Sequence, residues 1–158
     1  MKPEIRLRDV VATDLTLFFA HQQDPEAAAL AAFTPRDKPA FAEHWAKLLW
    51  DDTVLIQTVV AGGEVAGNVL SFNRDGRREV GYWIDRASWG RGVATAALVA
   101  FLRLEQTRPL YAGVAKHNIA SIRVLQKCGF TYLRAPGESS DDAADSHFLL
   151  VLPATAIA

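Results

Sequence analysis

The stretch 77–105 constrains this chain more than any other. Arg77-Arg78-Glu79-Val80-Gly81-Tyr82-Trp83-Ile84 has strand character, and Trp89-Gly90-Arg91-Gly92-Val93-Ala94-Thr95 forms a glycine-rich turn. An apolar helical pattern then runs over 93–105. A turn of this kind feeding a helix N-terminus makes an anion site, because the first N–H groups have no intrahelical partner and the helix dipole places partial positive charge there. Gly90 and Gly92 carry no Cβ, so a phosphate can approach the backbone closely. The expected ligand therefore carries phosphate.

Two familiar phosphate loops fit poorly. A P-loop needs Gly-x-x-x-x-Gly-Lys-Ser/Thr, and that spacing does not occur. A dinucleotide fingerprint needs Gly-x-Gly-x-x-Gly and an acid about twenty residues on. Here Gly90-x-Gly92 matches its first half, but Thr95 takes the third glycine's place. After the next strand the chain reads Ala115-Lys116-His117-Asn118, where the acid belongs.

A third pattern, Gln/Arg-x-x-Gly-x-Gly/Ala, falls on Trp89-Gly90-Arg91-Gly92-Val93-Ala94, with Trp89 departing at the first position. Downstream stand Asn118-x-x-Ser121 and Lys127-Cys128-Gly129-Phe130. Together these resemble the acyl-CoA loop and second signature of the GCN5-related N-acetyltransferase (GNAT) superfamily. Trp-Gly-Arg-Gly-x-Ala-Thr, preceded by Gly81-Tyr82-Trp83-Ile84, is similar to the ribosomal-protein N-acetyltransferase branch. The resemblance extends over about 5–152, and its specific part runs from Glu79 to Phe130.

That resemblance implies a single-domain α/β (α+β) fold over 1–158, with a mixed, mostly antiparallel sheet, splayed central strands and flanking helices. The order read from the sequence agrees: strands over 4–8, 53–60, 64–72, 77–85, 110–115, 130–134 and 147–152, with helices over 13–23, 27–33, 40–50, 93–105 and 119–128. Thr13 is the expected cap of the first helix, and Asp24-Pro25 the start of the second. Ala61-Gly62-Gly63 and Asn73-Arg74-Asp75-Gly76 are the expected turns of a meander. Gly81, inside a strand, reads as a bulge next to the gap between the splayed strands.

Composition sets limits. The chain has 158 residues, half of them hydrophobic, and a formal net charge of −1, which supplies no field for gathering nucleic acid. It shows no apolar run of membrane-spanning length and no signal-like start. Cys128 is the only cysteine, so no intrachain disulfide is possible, and a cytoplasmic setting is expected. Histidine and cysteine show no metal-ligand spacing, and no metal is expected. The expected partners are acyl-CoA and an amine acceptor, with the chain a monomer or homodimer.

The resemblance also implies roles. Backbone N–H groups of Gly90, Arg91, Gly92, Val93, Ala94 and Thr95 would hold the pyrophosphate of acetyl-CoA, with Trp89 opening the loop. The backbone of Tyr82, Trp83 and Ile84 would pair with pantetheine, and an N–H near Tyr82 or Trp83 would face the acetyl carbonyl. Arg91 would add charge, or else lie solvated on the turn. Asn118 is both a natural helix cap and a candidate pantetheine contact. Ser121 is the candidate general acid, with Tyr82 as substitute, and Glu79 the candidate base unless it merely pairs with Arg77 or Arg78. His117 and His147 are further candidates, while Cys128 reads as a small buried hydrophobe.

The acceptor cleft is expected between the helices of 24–50 and the last hairpin, whose loop holds Glu138, Asp141, Asp142 and Asp145. Trp45, Trp50, Phe33 and Trp83 are candidates for its walls. A peptide α-amine, a polyamine and an amino-sugar all remain open as acceptors. So does a module of the same fold that binds acyl-CoA without catalysis.

Overall fold

A computed structural model describes residues 2–133 and 146–154. The elements run β1 (Ile5–Arg8), α1 (Ala12–Gln23), α2 (Pro25–Leu30), α3 (Lys38–Trp50), β2 (Leu55–Ala61), β3 (Glu64–Arg74) and β4 (Arg77–Ile84). After a short 3-10 turn at Arg86–Ser88 come α4 (Val93–Leu104), β5 (Leu110–Ala115), α5 (Ile119–Lys127), β6 (Thr131–Tyr132) and β7 (His147–Leu152). The seven strands form one sheet in the order β1-β2-β3-β4-β5-β7-β6. All neighbours are antiparallel except β4 and β5.

Both faces of the sheet are covered. Val93, Ala97, Leu98 and Phe101 of α4, with Ile122 and Leu125 of α5, pack on Val69, Val80, Ile84, Leu110 and Leu150 of the strands. Phe18 of α1 with Phe41 and Trp45 of α3 forms a second cluster, against which Ile56 and Val65 lie. Trp45 therefore belongs to the core, and Trp50 stands 91% exposed at the end of α3.

The single parallel register pair, Glu79 with Tyr111, is the feature that positions the site. Beyond it β4 and β5 separate, so backbone groups along Gly81–Ile84 and Ala112–Ala115 face a gap. Buried backbone donors and acceptors need partners, and an extended ligand can supply them there.

Several local expectations change. Val11, not Thr13, caps α1; Asp14 closes the turn by accepting from the Val11 N–H at 3.0 Å. Helix α2 ends at Leu30, because Ala32 takes a positive φ of 51° that breaks the spiral before Phe33. Strand β2 starts at Leu55 rather than Thr53, whose N–H and hydroxyl are held by Asp51. Gly81 is not a bulge in the β3–β4 ladder: the register runs unbroken from Gly67–Ile84 to Arg74–Arg77. The register shift lies instead between Val59 and Val60, where β2 meets Gly67 and Val65. Glycine is required at position 67, since a Cβ there would sit 1.9 Å from the Trp83 carbonyl oxygen. Residue 134 and the acids Glu138, Asp141, Asp142 and Asp145 lie outside the described residues.

Candidate active site

A cleft of about 750 Å³ opens where β4 ends, α4 begins and α5 begins. Each of these termini is fixed by local chemistry. At the end of β4, the Asp85 N–H donates to the Ala66 carbonyl and the Asp85 carboxylate accepts from the Ser88 N–H at 3.0 Å. The Trp89 indole N–H then donates to the Ile84 carbonyl at 3.0 Å. Trp89 thus ties the start of the glycine loop back to the strand, which gives the departure from Gln/Arg a structural role.

Gly92 caps α4 with φ 76° and supplies no side-chain cap. The first backbone bond of the helix is Ala96 N–H to Gly92 carbonyl, so the N–H groups of Val93, Ala94 and Thr95 meet no acceptor among the described residues. Val93, Ala94 and Thr95 line the same cleft as Gly90 and Arg91. Among the described residues Lys2, Arg91 and Lys127 are its charged lining, and no carboxylate joins them. A concave surface with free helix N–H groups and cations but no acid suits a polyphosphate ester. Sequence reasoning does not find Lys2, which lies in no motif, and gives Lys127 no role within Lys127-Cys128-Gly129-Phe130; only the fold brings the two to the loop.

At the other end of the cleft, Asn118 caps α5 by accepting from the Ser121 N–H at 3.2 Å. That cap turns Ser121 toward β4, where its Oγ lies 2.6 Å from the Tyr82 hydroxyl. Burial pushes the Tyr82 phenol up to about 12, the bond to Ser121 offsetting only part of the effect. The pair is therefore a neutral hydrogen-bonding unit at physiological pH. Tyr82, Trp83, Ile84, Asn118 and Ser121 all line the cleft with the glycine loop.

Glu79 is placed differently. By the alternation of β4 it lies on the face opposite Tyr82, shared with Trp83, and it is buried. Its carboxylate lies 3.7 Å from Arg74, its diagonal neighbour across the hairpin. Neither arginine named with it is its partner: Arg78 reaches Glu105 at 2.8 Å on the other face, and Arg77 stacks on Tyr111. Phe33 packs edge-on against Trp83 with ring centroids 5.2 Å apart, so these two aromatics do meet beside the cleft. His117 bonds the Ala29 carbonyl at 2.9 Å and joins the end of β5 to α2. His147 pairs in register with Ala115, and neither histidine lines the cleft. Cys128 caps the end of α5, half-buried, its thiol pushed up by burial and outside the cleft. No cluster able to hold a metal occurs among the described residues, and no helix among them is long and apolar enough to cross a membrane.

Known proteins share both the sequence pattern and the architecture. An acetyltransferase (GNAT) domain model matches residues 4–131. An acetyltransferase from Thermus thermophilus is 22% identical, with a TM-score of 0.76 over 98% of this chain and 100% of its own. Spermidine N-acetyltransferase from Vibrio cholerae, solved with CoA and spermine, is 17% identical, with a TM-score of 0.74 over 93% of this chain and 92% of its own. A GNAT-family acetyltransferase from Bacillus anthracis is 13% identical, with a TM-score of 0.75 over 97% and 98%. Comparison with curated proteins gives no sequence match. The family model spans the chain from its first strand into its sixth and takes in the glycine loop, the parted strands and the Asn118–Ser121 turn, so this chain belongs to the GNAT acetyltransferase family.

Proposed function

We propose that residues 1–158 form one N-acetyltransferase domain of the ribosomal-protein type. It would move the acetyl group of acetyl-CoA to a primary amine, either a protein N-terminal α-amine or a small-molecule amine. The observation that carries this reading is the single cleft joining the open N-terminus of α4, the parted edges of β4 and β5, and the Tyr82–Ser121 pair. The residues fit acetyl-CoA at each point. Loop N–H groups of 90–95 and Arg91 meet pyrophosphate, the backbone of 82–84 and the Asn118 amide meet pantetheine, and the hydroxyl pair meets the thioester.

In direct attack the amine nitrogen bonds the thioester carbon and the C–S bond breaks. The amine gives up a proton, for which Glu79 is the acceptor, directly or through one water. The departing sulfur takes electron density, which the Tyr82–Ser121 pair stabilises, one hydroxyl donating to the sulfur and the other donating to that hydroxyl. Thiols are stronger acids than a phenol held at about 12, a cysteine thiol titrating at about 8.5. The pair is therefore a relay and hydrogen-bond donor to the thiolate, and does not stay ionised itself. A backbone N–H of β4 near Tyr82 faces the developing oxyanion.

The first test is thermal unfolding with CoA, acetyl-CoA and NAD added separately. Both CoA species should raise the melting temperature, by roughly 2.7 kcal/mol of stabilisation at a hundredfold excess over Kd, and NAD should not. Thiol release with a panel of amines then identifies the acceptor. Glu79→Gln or Ser121→Ala should depress turnover while CoA still binds. CoA binding with no turnover on any amine would support the non-catalytic alternative.

A further inference from the structure

The N-terminal segment is fastened beside the glycine loop by contacts unrelated to that loop. The Glu4 carbonyl accepts from the Gly62 N–H at 2.9 Å, and β1 registers Ile5 against Ala61. Pro3 lies over the same turn, 3.7 Å from where a Gly62 Cβ would be. These anchors direct the preceding residue across the start of α4, against which β1 packs. A Cβ on Gly92 would meet Lys2 Cδ and Cε at 3.5 Å and Nζ at 3.6 Å. The Lys2 ammonium thus lies over the residue that caps α4.

Among the described residues this position is electrostatically uncompensated. The end of α4 is already positive, its first N–H groups are open, and Arg91 and Lys127 line the same cleft. Among the described residues Lys2 has no carboxylate partner and no acid lines the cleft. Like charges gathered at a helix start repel one another unless an anion lies between them.

We propose that Lys2 is a ligand of the acyl-CoA pyrophosphate, closing over the glycine loop at Gly92. This rests on the acyl-CoA reading above and adds a residue outside the loop and the Asn118–Ser121 turn. The segment 2–4 then acts as a clasp: Pro3 and Glu4 hold its course, and Lys2 supplies the charge.

The test measures the affinity of CoA, dephospho-CoA and pantetheine for the full chain, for Lys2→Ala and for Lys2→Arg, by calorimetry. Lys2 is exposed, and unliganded melting temperatures check that the variants fold alike. Lys2→Ala should weaken CoA and dephospho-CoA alike, by about tenfold, the range of a hydrogen bond to a charged group. Pantetheine, which lacks phosphate, should be unaffected, and Lys2→Arg should restore most of the affinity. Unchanged CoA affinity in Lys2→Ala overturns the proposal. A loss confined to CoA, with dephospho-CoA unaffected, also overturns it, since Lys2 would then be reading the 3′-phosphate. Failure of the unaltered chain to bind CoA would instead overturn the acyl-CoA reading itself.

Discussion

The Tyr82 and Ser121 hydroxyls stand 2.6 Å apart, and under the proposed mechanism whichever of them meets the leaving sulfur has its proton position set by the other. Groups that act as a unit give non-additive losses. Tyr82→Phe and Ser121→Ala should each lower kcat by about 10²-fold, the range of one acid–base or hydrogen-bonding group. The double variant should be little worse than the more damaged single one. Steady-state kinetics of the four proteins check this, and losses that multiply would mean that the two hydroxyls work separately. Both residues are legible in the sequence, since each lies in a motif, but their bond is not. It depends on Asn118 capping α5 and on α5 packing across β4, a contact between residues 39 positions apart. The partner of Glu79 is hidden for a similar reason. The near-sequence arginines are the obvious choices, yet pleating sends Arg78 to the other face, while the hairpin brings Arg74 diagonally across.

Strands and helices with strong periodicity are readable almost to the residue, as β5 at Leu110–Ala115 and β7 at His147–Leu152 illustrate. Element ends decided by capping are harder. The first turn of α1 is closed by Asp14 from inside the helix, so the Ser/Thr rule points to the wrong residue. Backbone irregularity is harder still. Gly81 stands out because it precedes the loop motif, whereas the glycine that the sheet requires is Gly67 in β3. There φ is +155°, and a Cβ would fall 1.9 Å from the Trp83 carbonyl oxygen and 3.0 Å from Ile84 Cα. Only the pairing register reveals this, because the obstacle is backbone on the neighbouring strand. Gly67→Ala should therefore destabilise the protein by about 3 kcal/mol or more, by strain at a special backbone position. It should also displace Trp83 and Ile84, and so weaken CoA binding. Gly81→Ala, whose Cβ would meet only a Phe72 ring carbon at 3.9 Å, is the control and should cost far less. Urea unfolding of the two variants ranks them, and equal stability would mean that β4 can move away from β3 at little cost.

Across the whole molecule, two buried carboxylates join the helices to the sheet. Asp14 of α1 accepts from Arg8 of β1 at 2.7 and 2.9 Å and from the Thr58 hydroxyl of β2 at 2.8 Å. Glu105, capping the end of α4, accepts from Ser71 of β3, from Arg78 of β4 at 2.8 Å and from the Thr107 N–H at 3.1 Å. The Arg8 bonds lead in holding Asp14 down to about 2, against an ordinary 3.8. Burial pushes Glu105 up, but the bonds from Ser71, Arg78 and Thr107 together outweigh it and bring the carboxyl to about 2, against 4.5. Both folded-state values are depressed, so the unfolded chain binds more protons in this range and stability rises with pH. The contribution is fully present above about 4.5 and is lost as the pH falls toward about 2. Acid unfolding should therefore release α1 from one face of the sheet and α4 from the other. Asp14→Asn and Glu105→Gln should each cost about 1–3 kcal/mol at pH 7, where the carboxylate is ionised and bonded. Each should also flatten the fall in stability between pH 5 and pH 2.5, and the double variant should flatten it most. Urea unfolding across that range decides the matter. If both single variants lose stability as steeply as the unaltered chain, the acid sensitivity lies in other carboxylates and these two serve packing alone.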